Sequence, residues 1–168
     1  MSAIHPEMLL PFRHNQRITR KWIRWGERWI LTESQDIRQW SDEKKIWITE
    51  YMKEQIHGGG CVICAFDGDT VIGFSSADGI LFGDGEKYAN LTMLFVDDAW
   101  HGQGIGRKLF ASVCGEVRQM GADRLFISAI PSADTVAFYR AVGCRDAAQI
   151  IPAFIDTEED YYLEKALI

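Results

Sequence analysis

No stretch of this 168-residue chain approaches the ~18 uncharged residues that a membrane-spanning helix needs. The first residues also lack the charged, apolar and small-residue order of a secretory signal. The expectation is a cytoplasmic protein with no membrane partner. Excess positive charge is missing too: 18 Lys and Arg against 24 Asp and Glu give a formal net charge of −6. That balance argues against general nucleic-acid binding, which draws on phosphate neutralisation. There is no internal repeat and no low-complexity segment, so residues 1–168 read as one domain. Its length allows roughly two-thirds of the unfolded surface to be buried. Cysteine is sparse, at four residues. Cys61 and Cys64 have the spacing of a redox or zinc pair, but a redox pair opens a helix and such a zinc site needs a second ligand pair. Here the two lie in an apolar run between a triple glycine at 58–60 and Asp67-Gly68-Asp69. They read as structural thiols on opposite faces of a strand, with no metal.

What is present divides at about residue 60. Before it, Ile18, Trp22, Trp25 and Trp29 recur at helical spacing, and so do Trp40, Trp47 and Tyr51; the expectation is two helices. Thr32-Glu33-Ser34-Gln35 fits a capping box between them, and the triple glycine ends the second. After residue 60 come strands at about 61–66 and 70–77, joined by a strong hairpin signal, and a longer strand at about 87–97. A helix over about 104–119 follows, with Ile105, Leu109, Phe110, Val113 and Val117 as its apolar stripe. Then come a strand at 124–130, a helix at 132–141, and strands at 144–151 and 160–167. The fold class is α/β (α+β): a mixed, mostly antiparallel central sheet flanked by helices on both faces.

The most informative segment runs from Leu91 to Phe110: an apolar strand, a turn with Gly102, Gly104 and Gly106, then an amphipathic helix. Glycines let a ligand approach the backbone. The helix start then offers unpaired N–H groups and the positive end of a dipole, which is a phosphate cradle. A dinucleotide-binding fingerprint needs its third glycine where Arg107 stands, although Asp123 lies at about the distance of a ribose-binding acid. A Walker loop needs Gly-Lys-Ser/Thr, and Leu109 follows Arg107-Lys108.

His101-Gly102-Gln103-Gly104-Ile105-Gly106, after Leu94-Phe95-Val96, resembles the acyl-CoA signature of the GNAT superfamily of acyl-CoA-dependent N-acetyltransferases. His101 stands where that signature has Gln or Arg. A second segment, Ser132 to Cys144, resembles the family's Asn-x-x-Ala-x-x-Phe-Tyr-x-x-x-Gly-Phe helix, with Ser132, Thr135 and Cys144 departing from it and Phe138, Tyr139 and Gly143 matching. The resemblance covers about residues 60 to 167. It implies a sheet and acyl-CoA core over 61–168 and an acceptor-side region over 1–60. It also implies acetyl-CoA as co-substrate, and a primary amine of a small molecule or peptide as acceptor, with which the acidic charge is compatible.

In that reading the cofactor contacts are Leu94, Phe95 and Val96 along the strand edge, His101 to Arg107 at the pyrophosphate, and Ser132, Thr135 and Phe138 on the next helix. Tyr139 donates the proton to the leaving thiolate, and an N–H near Leu94 meets the oxyanion. Trp25 and Trp29 are candidate acceptor contacts. The base that frees the amine is open among Asp97, Asp98, His57, His101, Glu159, Asp160 and a water chain. A non-catalytic acyl-CoA sensor of the same fold is the alternative, and exposed Trp or Tyr at either end would suit a homodimer face.

Overall fold

The computed structural model describes residues 3–168. Its first elements are strands: β1 (Asn15–Trp25) and β2 (Arg28–Gln39) form an antiparallel hairpin of their own. This corrects the helix expected there and the capping box at 32–35, which lies inside β2. Ile18, Thr19, Trp22, Ile23 and Trp25 are β-branched or aromatic, the types that suit a pleated surface. Gly26 supplies the turn: its φ of 62° opens a two-residue loop that only a glycine enters without strain. The tryptophan spacing that suggests a helix is coincidental.

Helix α1 (Asp42–His57) starts at Ser41, whose side chain accepts from the Lys44 N–H, and ends at Gly58. It buries Ile48, Thr49, Met52 and Gln55. The strands β3 (Cys61–Asp67), β4 (Thr70–Ala77) and β5 (Tyr88–Val96) form an antiparallel meander. Helix α2 (Ile105–Gln119) then crosses over to β6 (Arg124–Ala129), which lies parallel to β5. Helix α3 (Ala133–Ala141), the short β7 (Arg145–Asp146) and β8 (Tyr161–Ala166) complete the chain, giving the strand order β3-β4-β5-β6-β8-β7. The strand expected over 144–151 stops after two residues. Beyond it, the Ala148 N–H donates to the Glu164 carboxylate and Pro152 opens a single 3-10 turn.

The sheet has an apolar core on each face. On one, α2 and α3 cover Ala89, Leu91, Leu125 and Ile127 with Phe110, Val113, Val117, Val136 and Tyr139. On the other, α1 and the N-terminal segment cover Val71, Phe74 and Met93, while Ile151 and Phe154 cover Tyr88, Phe126 and Tyr162. Between those two apolar patches the second face is polar, carrying Ser76, Asn90, Thr92 and Ser128. Cys61 packs toward the first core and Cys64 toward the second; both are free thiols, and burial pushes the Cys64 thiol up to about 11. No helix among the described residues is long and apolar enough to cross a membrane.

Candidate active site

The sheet opens where its one parallel pair parts. Opposite β4, Ser76 faces Met93 while Ala77 faces Leu91, so Thr92 is an extra residue in β5. Such a bulge bends the strand that carries it. On the other edge β5 pairs with β6 only from Tyr88↔Arg124 to Leu91↔Ile127. Past that point β5 runs on to Val96 and β6 to Ala129 with no ladder between them. Two strand edges with free backbone groups thus flank a wedge, and an extended ligand can pair with such edges.

At the far end of β5 stands the glycine turn. Gly102 and Gly104 have φ of 77° and 81°, and a Cβ on either would meet nothing within 4 Å. The space in front of them is open. Gly106 is needed for a different reason: a Cβ there would sit 3.3 Å from Phe138 of α3. Gly104 is the N-cap of α2 and gives no side-chain cap. Backbone N–H groups from Gly102 to Arg107 donate to nothing among the described residues; the first to be paired is Lys108, on the Gly104 carbonyl. Six unpaired donors at a helix start form an anion site. His101 turns away from it. Its Nε2 lies 2.8 Å from the Val96 carbonyl oxygen, which can only accept, so the ring proton sits on Nε2.

Helix α3 frames the wedge from the β6 side. Ser132 is its N-cap and is buried; its oxygen accepts from the Thr135 N–H at 3.0 Å, and its hydroxyl donates to Thr135 Oγ1 at 2.7 Å. Gln16 Nε2 from β1 reaches both oxygens, at 3.3 and 3.2 Å. These hydroxyls are therefore engaged with each other and with β1. Tyr139 is buried between Phe110 and Phe138, with ring centroids at 5.9 and 5.3 Å. Burial, then Cys144, then Asp156 push its phenol above the ordinary value, so it is a proton donor at neutral pH. Its hydroxyl has no hydrogen-bond partner among the described residues, yet Asn90 Oδ1 is the one fully buried side-chain polar atom without a partner among them. The Tyr139 hydroxyl therefore keeps an opening to solvent.

The carboxylates considered from sequence have other duties. Burial would raise Asp97, but hydrogen bonds from the Arg13 and Ala99 N–H groups and the Arg13 side chain hold it below the usual carboxylate range. Asp98 accepts the Asn15 N–H at 2.7 Å. His57 Nδ1 lies against the Lys53 carbonyl on α1. Asp160 is buried, taking the Ser128 and Thr157 hydroxyls at 2.8 and 2.9 Å, and Glu159 is exposed. Sequence reasoning missed Asp156 and Asp78. The Asp156 N–H donates to Ser128 Oγ at 3.2 Å, which suspends the residue beside the last paired position of β6. Its side chain is open to water on one side and recessed on the others. That recess, then the charges of Asp160 and Asp78, push its carboxyl up to about 6. Asp78 follows β4 directly and is held by Gln55 and Asn90.

Of the two tryptophans, Trp29 stacks on Tyr161 at 4.3 Å and meets Tyr162 edge-on at 6.3 Å. Trp25 projects from the hairpin tip, 73% exposed. A surface groove of about 720 Å³ lies between α2, the end of α3 and the end of β8. Of the groups above it touches only Arg107 and Phe110.

A strand bulge, a parted parallel pair and a glycine-lined helix start define an acyltransferase architecture, and comparison with known proteins agrees. The profile of the "Acetyltransferase (GNAT) family" matches residues 20–144. The chain belongs to that family of acetyltransferases. No curated protein sequence matches it. Among solved structures, nourseothricin acetyltransferase superposes with a TM-score of 0.68 at 14% identity, covering 96% of this chain and 92% of that one. The PaiA N-acetyltransferase of Thermoplasma acidophilum, in complex with coenzyme A, gives 0.55 at 18%, covering 75% and 71%. An aminoglycoside 6′-N-acetyltransferase complexed with coenzyme A gives 0.57 at 17%, covering 71% and 79%. At these identities the likeness is one of fold.

Proposed function

We propose that this protein is an acetyl-CoA-dependent N-acetyltransferase that acts on a primary amine of a small molecule or peptide. The observation that carries the reading is the continuity between the wedge past Leu91↔Ile127 and the six free N–H groups from Gly102 to Arg107. The amides take the pyrophosphate, where the α2 dipole adds to their attraction. Leu94, Phe95 and Val96 offer an unpaired edge to the amide-bearing arm of the donor, and Phe138 backs Gly106. An N–H of the bulged strand near Leu94 meets the oxyanion; such a donor contributes ~2.7–4 kcal/mol to the transition state. Tyr139, protonated at neutral pH, supplies the proton for the departing thiolate.

Thermal unfolding with acetyl-CoA, with CoA and ATP as controls, tests the donor site. Saturation to about 100 times Kd stabilises by ~2.7 kcal/mol, which for this length raises the melting temperature by roughly 5–10 °C. A shift with both CoA species and none with ATP is the expected result. An equal shift with ATP, or none with CoA, removes the reading. Release of free thiol on addition of amines then separates an enzyme from a sensor that binds without turnover.

A further inference from the structure

Strand β1 bridges the two sides of the wedge. On the β5 side the Asn15 N–H donates to Asp98 at 2.7 Å, and the backbone N–H and guanidinium of Arg13 hold Asp97. On the β6 side the Trp22 N–H donates to the Pro131 carbonyl at 2.7 Å, and Lys21 pairs with Ser132. Residues 16–21 therefore span the gap that β5 and β6 leave between them. Gln16 and Ile18 share one face of β1. Ile18 is buried, so that face looks into the protein, and Gln16 is its half-buried polar member. The Gln16 backbone stands one residue from the Asp98 anchor, while its side chain ends on α3. The side chain itself crosses the wedge.

The hydrogen bonds at its end show how much of the amide is in use. Gln16 Nε2 lies 3.3 Å from Ser132 Oγ and 3.2 Å from Thr135 Oγ1, and those two oxygens are 2.7 Å apart. Seen from the nitrogen the oxygens are only about 50° apart, far less than the spread of the two N–H bonds of a primary amide, so one N–H is shared between them. The second N–H and the carbonyl Oε1 have no partner among the described residues. The two hydroxyls are in the opposite condition. Ser132 Oγ accepts from the Thr135 N–H and from Gln16, and Thr135 Oγ1 accepts from Ser132 and from Gln16. Each has both lone pairs filled, so the free side-chain acceptor at the start of α3 is Gln16 Oε1. The family profile begins at residue 20, and Gln16 lies outside the matched segment.

We propose that Gln16 is a donor-binding residue: its Oε1 accepts the N–H of an amide in the pantetheine arm, while its shared N–H keeps it against α3. The proposal rests on the reading of the wedge as the acetyl-CoA site. An arm that pairs along the free edge of β5 turns its other side toward β6 and α3, where β6 past Ile127 offers it no ladder with β5. The arm is uncharged and carries two secondary amides. A neutral carbonyl oxygen takes such an N–H without burying a charge. Ser132 and Thr135 then act on the donor through Gln16, and the hairpin has a part in holding it.

A double-variant cycle tests the contact. One side of the cycle is Gln16→Met in the full chain, which keeps the reach of the side chain and removes its amide. The other side is a pair of acetyl-CoA analogues, each with one arm N–H replaced by an ester oxygen. Calorimetry gives the dissociation constants, and each variant is first shown to unfold cooperatively. Expected is ~3–10-fold weaker acetyl-CoA binding in Gln16→Met. One of the two analogues should show a similar loss on the wild-type protein, with no further loss on Gln16→Met. 3′-Phosphoadenosine 5′-diphosphate, which has the pyrophosphate and no arm, should bind both proteins equally. Gln16→Asn holds its amide one methylene short of α3 and should bind acetyl-CoA as weakly as Gln16→Met does.

Additive losses for both analogues overturn the proposal, because a side chain that merely steadies α3 gives that result. Unchanged acetyl-CoA affinity in Gln16→Met or in Gln16→Asn overturns it too, as does a loss for the nucleotide equal to that for acetyl-CoA. In each of these cases the wild-type protein still binds acetyl-CoA, and the donor site stands without Gln16. If acetyl-CoA does not bind the wild-type protein, the underlying reading has failed instead.

Discussion

Glu164 and Asp156 are carboxylates on neighbouring parts of the molecule, and the fold treats them in opposite ways. Glu164 lies on β8 with no exposure. Arg124 and Arg145 hold its Oε1 at 3.2 and 2.7 Å, and Tyr88 and the Ala148 N–H each lie 3.2 Å from its Oε2. Every lone-pair direction of that buried charge has a donor, which is the condition for a buried ion pair to persist. Asp156 has a backbone anchor, open water, two like charges that raise its carboxyl, and no ion-pair partner among the described residues. Two arginines meet Glu164, and no cation pairs with Asp156 among the described residues. The first arrangement holds the sheet edge together; the second leaves a carboxylate to solvent.

The contrast is broken most directly at Glu164. In Glu164→Ala two arginines lose their shared anion and Tyr88 its acceptor. Losses of this kind cost ~3–5 kcal/mol, to be read from chemical denaturation, with acetyl-CoA affinity at or near the wild-type value. A loss below ~1 kcal/mol would mean that the cluster is incidental.

Tyr139→Phe sharpens the contrast from the cleft side. The phenol is in the core but its hydroxyl bonds to nothing among the described residues, so removing it leaves stability within ~0.5 kcal/mol. Turnover, by contrast, falls ~10²–10⁴-fold if the hydroxyl is the general acid. Steady-state kinetics beside a melting curve decides the matter. Unchanged turnover would return Tyr139 to the core alone.

How much of this could be read from sequence follows the range of the forces involved. The stripe Leu109, Phe110, Val113 and Val117, the cap at Ser132 and the glycine turn are set by neighbours a few residues apart, and all were legible. The tryptophan-rich start misled because spacings of three and four residues occur in a strand as readily as in a helix. The better signals were Gly26 and the flanking β-branched residues. Asp156 and Asp78 were missed because nothing local distinguishes them from surface acids. They are 78 residues apart in sequence and meet only through the order β4-β5-β6. The acidic run 156–160 pointed to the right loop but to Glu159 and Asp160 within it.

The donor site should respond next. A side chain at Gly104 would have open space but the wrong backbone, with φ at 81°. Gly104→Ala is expected to lose ~1–2 kcal/mol and to weaken acetyl-CoA binding more than the same change at Gly115, whose surroundings are open and whose φ is not positive. Equal effects at the two positions would mean that the turn is not the cradle.

The smallest expected effect carries the sign of the comparison. Asp156 has its carboxyl raised in the folded chain, up to about 6 from 3.8. Between those values the folded state binds more protons than the unfolded one, so stability falls as pH rises through the window. Above pH about 6 the ionised group opposes folding, although water on its open side screens much of the effect. Asp156→Asn should therefore raise the melting temperature slightly at pH 7 to 8 and leave it unchanged near pH 3.5. Asp97, held below the usual range by Arg13 and the Ala99 N–H, has the opposite sign. Its contribution is complete above pH about 4 and is lost on further acidification, so Asp97→Asn lowers the melting temperature at neutral pH. Melting curves of both variants across pH would set one carboxylate that stabilises the fold against one that burdens it. If Asp156→Asn proved destabilising at pH 7, Asp156 would belong with Glu164 among the carboxylates that the fold depends on.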